Sequence, residues 1–350
     1  MSTPTQQKAL FLQAKQGEFA IGTRPVPKPG RGEIIVKNEA SGLNPVDWKI
    51  QVYGLFIETY PAVLGIDAAG VVEVVGEDVS IFKIGDRVLY EGITTDENDQ
   101  ATYQQYTLVP AELAAKLPDT FTFEQGAALP LVLTTAAVGL YHQADGPRFT
   151  PPWVAGGRGK YAGPIVIIGG SSVVGTYTVQ LARLSGFSPI ITTASLKNTE
   201  ILKSFGATHV LDRNLSSAAL REEVLRITGD PLSVVYDAIS IPETQNAAFD
   251  LLAPGGKLIV VLVPAVDEDK KNATNRAIVI ARGLIQFPQN VEFGKQLYKS
   301  LPALLEAGDL KPLRVEVVPG GLGGIPTGLD KLKNNQVSAA KVVVRPQETV

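Results

Sequence analysis

Glu33–Asn38 sets the apolar residues Ile34, Ile35 and Val36 between polar ends and reads as a half-buried strand. Ala68–Val75 is rich in valine and ends at Gly76, and Ile84-Gly85-Asp86-Arg87-Val88 reads as a turn entering another strand. Gly and Pro punctuate this first third about every 8–15 residues, which favours a barrel or sandwich. The pattern changes near residue 130. Ile165–Ile168 is a short unbroken apolar run, followed by Gly169-Gly170-Ser171-Ser172. Val174, Tyr177, Thr178, Leu181 and Ala182 then recur at helical spacing, and Gly186 closes that helix. Pro189–Thr193 predicts a second strand, and Asn198 is placed to cap a helix ending at Phe205-Gly206. Thr208–Leu211 predicts a third strand, Leu215–Thr228 a helix and Val234–Ala238 a fourth strand. Glu243–Leu252 predicts a helix, and Lys257–Val263 a fifth strand after the Pro254-Gly255-Gly256 turn. Strands alternating with helices imply parallel β-α-β units in a doubly wound sheet. Beyond residue 280 the periodicity weakens. Lys341–Val344 predicts a closing strand, and Gly320–Gly328 carries too much glycine for a long helix.

The chain has 350 residues, 45% of them apolar and 19% charged, enough for about two domains with large cores. The formal net charge is -3, so no nucleic-acid partner is expected. There is no cysteine, which excludes disulfides, thiol nucleophiles, iron–sulfur clusters and Cys-ligated zinc. The two histidines, His142 and His209, lie too far apart in sequence for a helical two-His zinc motif. His209 is expected to pack at a strand end, and His142 to follow a helix containing Ala136–Tyr141 as a C-terminal or surface residue. Met1–Leu10 lacks the basic and apolar regions of a secretion signal. Apolar runs such as Leu258–Val263 are far shorter than the roughly 20 residues that span a bilayer. The C-terminus carries no lipidation signal. A cytoplasmic protein with no membrane partner is expected.

The stretch Gly169-Gly170-Ser171-Ser172-Val173-Val174-Gly175 lies between a predicted strand and a predicted helix. Glycine there lets backbone approach a pyrophosphate, and the helix start supplies free N–H groups and partial positive charge. A tight turn with Gly175 allowing close packing is the plainer alternative. The end of the second strand selects the dinucleotide. An NAD site usually places a carboxylate there for the ribose 2′-hydroxyl. Here Thr193-Ala194-Ser195-Leu196-Lys197-Asn198 has none before Glu200. Ser195 can donate to a 2′-phosphate, Lys197 can neutralise it, and Arg213 can add a second cation or stack on adenine. The expected cofactor is NADPH.

Several motifs then occur in one order: Leu43-Asn44-Pro45-Val46-Asp47, Gly65-Ile66-Asp67-Ala68-Ala69-Gly70, Gly85-Asp86-Arg87-Val88, Ala128-Leu129-Pro130 with Thr134-Thr135-Ala136, Ala253-Pro254-Gly255-Gly256, and Lys341-Val342-Val343-Val344. With the glycine loop, they resemble the medium-chain dehydrogenase/reductase superfamily over essentially the whole chain. The resemblance implies an α/β protein. A GroES-like catalytic domain would span residues 1–130 and 281–350, interrupted by a Rossmann NADPH-binding domain at residues 131–280. The positions matching the catalytic-zinc ligands of that superfamily are Asn44, Ile66 and Leu131, none suited to zinc. The chain is therefore similar to the zinc-free branch of quinone oxidoreductases and enoyl reductases. Gly169 to Asn198 resembles fungal trans-acting enoyl reductases. By that resemblance NADPH contacts fall on Val46, Asp47, Trp48 and Lys49; on Gly170, Ser171, Ser172, Val173 and Val174; on Ser195, Leu196, Lys197 and Asn198; and on Arg213, Leu262, Val342 and Val343. The family usually has Tyr where Arg213 stands. Substrate contacts would fall near Leu133 to Leu140.

Without a zinc site, reduction of an activated C=C bond asks least of the protein: hydride reaches the β-carbon, hydrogen-bond donors hold the enolate oxygen, and a proton reaches the α-carbon. Tyr53 is the candidate proton donor, with Tyr60 and water as competitors; both tyrosines also read as core or rim aromatics. Asn44 is either a substrate or ribose contact or a turn residue before Pro45. Thr135 is a nicotinamide contact or a packing residue, and Lys49 a substrate or phosphate contact or a solvated charge. Three functions fit: a reductase of enones, enals or enoyl thioesters, an NADPH:quinone oxidoreductase, and a non-catalytic NADPH-bound interaction protein. The partner is a small-molecule or acyl-thioester substrate, with an acyl-carrier domain as a candidate. An acidic carrier would use Arg148, Arg158 and Lys160 around the Pro- and Gly-rich segment Phe149–Gly163, expected to be a mobile or plain surface loop. A monomer or a homodimer is expected.

Overall fold

The computed structural model describes residues 4–94, 98–272 and 275–350. Met1 to Thr3, the start of the Met1–Leu10 segment, lie outside the described residues. The chain forms two compact units. One comprises Met1–Leu131, Leu284–Glu306 and Pro312–Val350; the other comprises Val132–Gly283 and Ala307–Lys311. The expected boundaries missed this last return of the chain, which puts residues 307–311 with the second unit.

The first unit is β-rich. Its larger sheet runs in the order Arg314–Val317, Ala340–Val344, Glu33–Gly42, Asp67–Val75, Arg87–Glu91, Ala114–Lys116, with Tyr106–Pro110 also paired to Glu33–Gly42. Its strands pair antiparallel except Arg314–Val317, which lies parallel to Ala340–Val344. The C-terminal strand therefore lies beside the end of Glu33–Gly42, with Val343 opposite Gly42, and Gly42 is in turn opposite Asp67. Three strands distant in sequence converge at that point. A core of Leu10, Leu12, Leu43, Ile50, Val342 and Val344 lies beneath. Each such side chain contributes on the order of 1.5–3 kcal/mol when fully buried. The helix Pro45–Tyr53 follows Asn44 and stops at Gly54, whose φ of 63° lets its N–H close on the Ile50 carbonyl.

The second unit is a six-stranded parallel sheet. Its order is His209–Asp212, Ile190–Ala194, Ile165–Ile168, Leu232–Asp237, Leu252–Val260, Ala277–Ile280. This is the doubly wound Rossmann arrangement, with one strand more than the sequence pattern shows. The order reverses at Ile165–Ile168: the next strand lies on one side of it and Leu232–Asp237 on the other. Such a reversal opens a crevice at the C-terminal strand ends. The Pro254-Gly255-Gly256 turn is absorbed within a strand. Leu232 pairs with Leu252 and Val234 with Lys257, so the turn forms a bulge.

Two helices differ from expectation. Val291–Glu306 is a 16-residue helix in a region read as weakly periodic, although Pro302 lies inside it. Ile325–Lys333 is helical after a 3-10 turn at Gly321–Gly324, so the glycine-rich segment begins a helix; Gly328 meets the Leu43 side chain there. Phe123–His142 is a 20-residue helical stretch apolar enough to cross a membrane by length and composition, and 78% of its most apolar 18-residue window is buried in the protein.

Candidate functional site

In the second unit, the helix Val173–Ser185 begins at Ser172, whose Oγ accepts the Gly175 N–H at 3.0 Å. A side chain at Gly175 would put its Cβ 2.2 Å from the Gly169 carbonyl oxygen, so only glycine lets the helix start this close to the strand. The N–H groups of Ser171, Val173 and Val174 have no partner among the described residues, and all three residues are half-exposed. The loop is thus a set of unpaired donors at the positive end of a 13-residue helix. These residues fit a dinucleotide pyrophosphate.

The end of the Ile190–Ala194 strand lies beside the end of His209–Asp212, where the Arg213 N–H donates to the Ala194 carbonyl at 3.0 Å. Ser195 is half-buried and Leu196 is 53% exposed. The side chains of Lys197 and Arg213 are exposed, and neither is within ion-pair distance of a carboxylate among the described residues. The nearest carboxylate in sequence, Asp212, accepts the Asn214 N–H at 2.9 Å. Asn198 is buried and stands at the helix start, but its side chain makes no capping bond. Ile239 packs on Gly169, and with Ile241 and Leu262 it forms exposed apolar surface at the ends of the central strands. Cations, unpaired N–H groups and apolar surface thus gather at the C-terminal strand ends of this unit.

The first unit holds a closed polar cluster. Asn44 is buried, and Nδ2 donates to Asp67 Oδ2 at 2.9 Å while Oδ1 accepts from Lys341 Nζ at 2.6 Å. Lys341 Nζ also donates to Asp67 Oδ2 at 2.6 Å, and Asp67 Oδ1 accepts the Leu131 N–H at 2.7 Å. Asp47 Oδ2 accepts the Asn44 N–H at 2.8 Å and the Tyr103 hydroxyl at 2.7 Å, whereas buried Oδ1 has no partner among the described residues. Burial pushes the Asp47 carboxyl up to about 7, against the opposing hydrogen bonds and the Lys341 charge. Burial and the neighbouring Asp47 charge push Tyr103 well above the ordinary phenol range.

This arrangement corrects several expectations. Asn44 is buried with its amide bonded to Asp67 and Lys341, so it does not face a substrate. Asp47, Val342 and Val343 expose no surface to a cofactor. The carbonyls of Val342 and Val343 accept the N–H groups of Leu43 and Val318, because the returning strand is sheet interior. Val46, Trp48 and Tyr60 are half-buried against the core, and the Tyr60 hydroxyl donates to the Ile57 carbonyl at 3.1 Å. Val46, Trp48, Lys49 and Tyr53 on that helix keep accessible surface. Tyr53 is 57% exposed, its ring 5.9 Å from Trp48. Lys49 is half-buried with Nζ 5.7 Å from the Trp48 ring, and burial lowers its pKa.

In the second unit Thr135 is buried, its carbonyl accepts the Tyr236 hydroxyl at 3.0 Å, and its side chain packs on Gly283. That surrounding is a packing one. His209 starts its strand but is exposed, its Nδ1 within 2.9 Å of Thr208 Oγ1, which corrects the packing expectation. His142 ends its helical stretch, half-buried. The Phe149–Gly163 segment is held in place: Phe149, Tyr161 and Phe187 form a ring cluster with centroids 4.7–5.4 Å apart, and Trp153 meets Tyr141 edge-on. Arg158 pairs with Asp309 and Lys160 donates to Thr150, so Arg148, exposed, is the cation there with neither engagement.

Asp67, Tyr103 and Lys341 are the residues that sequence reasoning missed as members of a site. Asp67 and Lys341 stood inside recognised motifs, but nothing local announces a pair 274 positions apart.

Comparison with known proteins agrees with this architecture. Residues 30–119 match the family described as alcohol dehydrogenase GroES-like domain, and residues 173–285 match the family described as zinc-binding dehydrogenase. A trans-enoyl reductase of Aspergillus japonicus is 34% identical over 98% of each chain. Among solved structures, a Pseudomonas syringae quinone oxidoreductase aligns with a TM-score of 0.77 at 24% identity, covering 97% of this chain and 100% of that one. A mycobacterial protein complexed with NADPH aligns with a TM-score of 0.75 at 24% identity, with the same coverage. The zinc implied by the second family's description does not fit the residues here. The three matching positions supply an amide already bonded, Ile66 and Leu131, and the Lys341 ammonium at 2.6 Å from Asn44 Oδ1 would repel a divalent cation. Among the described residues, no group of three or more His, Cys, Asp or Glu could hold a metal ion.

Proposed function

This chain belongs to the medium-chain dehydrogenase/reductase superfamily and is an oxidoreductase with a nicotinamide cofactor; from that premise we propose that it is an NADPH-dependent reductase of the activated C=C bond of an enone, enal or enoyl thioester. The whole-length similarity to a trans-enoyl reductase carries the choice of reaction. The exposed cations Lys197 and Arg213, where no carboxylate stands ready for a ribose hydroxyl, support the phosphorylated cofactor.

The residues take the following parts. The N–H groups of Ser171, Val173 and Val174 would hold the pyrophosphate at the helix start. Lys197 and Arg213 would neutralise the 2′-phosphate, with Ser195 as a hydrogen-bond donor. Leu196, Ile239 and Leu262 offer apolar surface to the rings of the dinucleotide. The bound cofactor supplies a hydride, which the β-carbon of the substrate accepts. Lys49, poorly solvated and without an ion-pair partner among the described residues, is the candidate to hold the developing enolate oxygen. Tyr53, or water in its place, delivers the proton to the α-carbon.

The test is NADPH oxidation by purified protein against a panel of enones, enals, enoyl thioesters and quinones, with NADH compared. The expected result is saturation of an enone or thioester C=C bond and a clear NADPH preference. Turnover of quinones alone would replace this reading with the quinone reductase. Tight NADPH binding with a silent panel would replace it with the non-catalytic interaction protein.

A further inference from the structure

The cluster around Lys341 joins parts of the chain that share no local sequence. Its ammonium is nearly solvent-free and lies 297 positions from Asn44 and 274 from Asp67. Burying an ammonium is costly unless hydrogen bonds and an opposite charge receive it, so an isolated structural lysine would be a poor choice for this core. Space is reserved for it as well: a Cβ on Gly42 would come within 3.0 Å of both Lys341 Cε and Asp67 Cβ, and 2.3 Å from the Ala127 carbonyl. Gly42 lies opposite Asp67 on one side and Val343 on the other, so the register of the sheet delivers the pair to one point.

The consequence reaches two helix starts. Lys341 and Asp67 together fix both ends of the Asn44 amide, and Asn44 is the residue from which Pro45–Tyr53 begins. Asp47, in the first turn, holds the Asn44 N–H and the Tyr103 hydroxyl. Asp67 Oδ1 receives the N–H of Leu131, at the start of Pro130–Ala137. No member of the cluster has accessible surface to meet a ligand. Its effect must pass through the helix it anchors, which carries Lys49 and Tyr53.

We propose that Lys341 is a positioning residue of the reductase: joined to Asp67, it locks Asn44 and the first turn of Pro45–Tyr53, and so fixes Lys49 and Tyr53 for the proton and enolate steps. This rests on the reading of the chain as a C=C reductase. It places a protein-borne cation at the positions matching the zinc ligands of zinc-dependent relatives, acting through geometry rather than contact with the substrate.

The test uses the full-length protein and two variants. Lys341→Met leaves Asp67 as a buried unpaired carboxylate and is expected to fold poorly. Lys341→Met with Asp67→Asn removes both charges together, and is the variant on which the proposal stands. In that double variant the proposal predicts a fall of at least about 10-fold in kcat, with the NADPH dissociation constant within about 2-fold of wild type. Amide hydrogen exchange in Trp48–Tyr53, measured without substrate, should rise at least about 10-fold, while exchange in the Val173–Ser185 helix stays unchanged. A folded double variant with wild-type kcat and unchanged exchange in Trp48–Tyr53 would overturn the proposal and reduce the cluster to core structure. If instead the wild-type protein reduces no member of the panel, the functional reading fails, and exchange alone then judges whether Lys341 holds the helix.

Discussion

The glycine loop of one unit and the Asn44 cluster of the other each build polar groups around the start of a helix, with opposite results. Around Val173–Ser185 the first N–H groups are unpaired and half-exposed, and the cations at the neighbouring strand ends lack carboxylate partners among the described residues. Around Pro45–Tyr53 the polar groups are spent on one another, apart from the second oxygen of Asp47. An unpaired polar group is inexpensive where water or a ligand can reach it and costly where neither can. The open set therefore marks a place for a ligand, and the closed set marks a place where shape is held.

Substitutions can break each side of that contrast. The largest effect is expected at Asp47. Its carboxyl rises from 3.8 unfolded to about 7 folded, so between those values the folded protein holds a proton the unfolded chain has released. Stability from this group is fully present below pH about 4 and lost as pH rises through about 7. Asp47→Asn should flatten that slope and raise stability at pH about 8 by up to roughly 4 kcal/mol, read by urea unfolding across pH. An unchanged slope would show that Asp47 is not the group responsible.

On the open side, Gly175→Val drives a side chain into the Gly169 carbonyl. NADPH affinity should fall by about 100-fold or more, roughly 2.7 kcal/mol, by calorimetric titration. Replacing Lys197 and Arg213 together by alanine sharpens the comparison. NADPH affinity should drop about 30-fold while NADH affinity holds, because the loss falls on the 2′-phosphate alone. Equal losses for both cofactors would move these cations away from the 2′-phosphate. The smallest effect is expected from Tyr53→Phe, about 10-fold in turnover with NADPH binding unchanged. Full turnover would leave water as the proton source.

The two regions also differ in how far the sequence discloses them. The glycine loop is local: strand, turn, cap and helix occupy neighbouring residues, and the periods of two and 3.6 show through. The positions of Ser195, Lys197 and Arg213 at strand ends follow from the same alternation. The Asn44 cluster is non-local. Asn44 reads as a turn residue before Pro45 because its partners Asp67 and Lys341 become neighbours only through strand register. Lys341 in particular looks like a surface charge heading an apolar strand, yet it is almost fully buried. The Val291–Glu306 helix was obscured by Gly294 and Pro302. Packing of Phe293, Leu297, Leu301 and Leu305 sustains it, and Gly294 lies close against Ile285. The Pro and Gly content of Phe149–Gly163 reads as a mobile or plain surface loop and does not show that its aromatic residues fasten it to Tyr141 and Phe187.

The central claim is that electrons pass from a phosphorylated nicotinamide to a conjugated carbon. Its most direct test is a reaction with NADPH deuterated at the transferred position and a short enoyl thioester, followed by mass spectrometry of the product. The account predicts a saturated thioester carrying one deuterium on its β-carbon. A product without deuterium, or a reduced carbonyl beside an intact C=C bond, would contradict it.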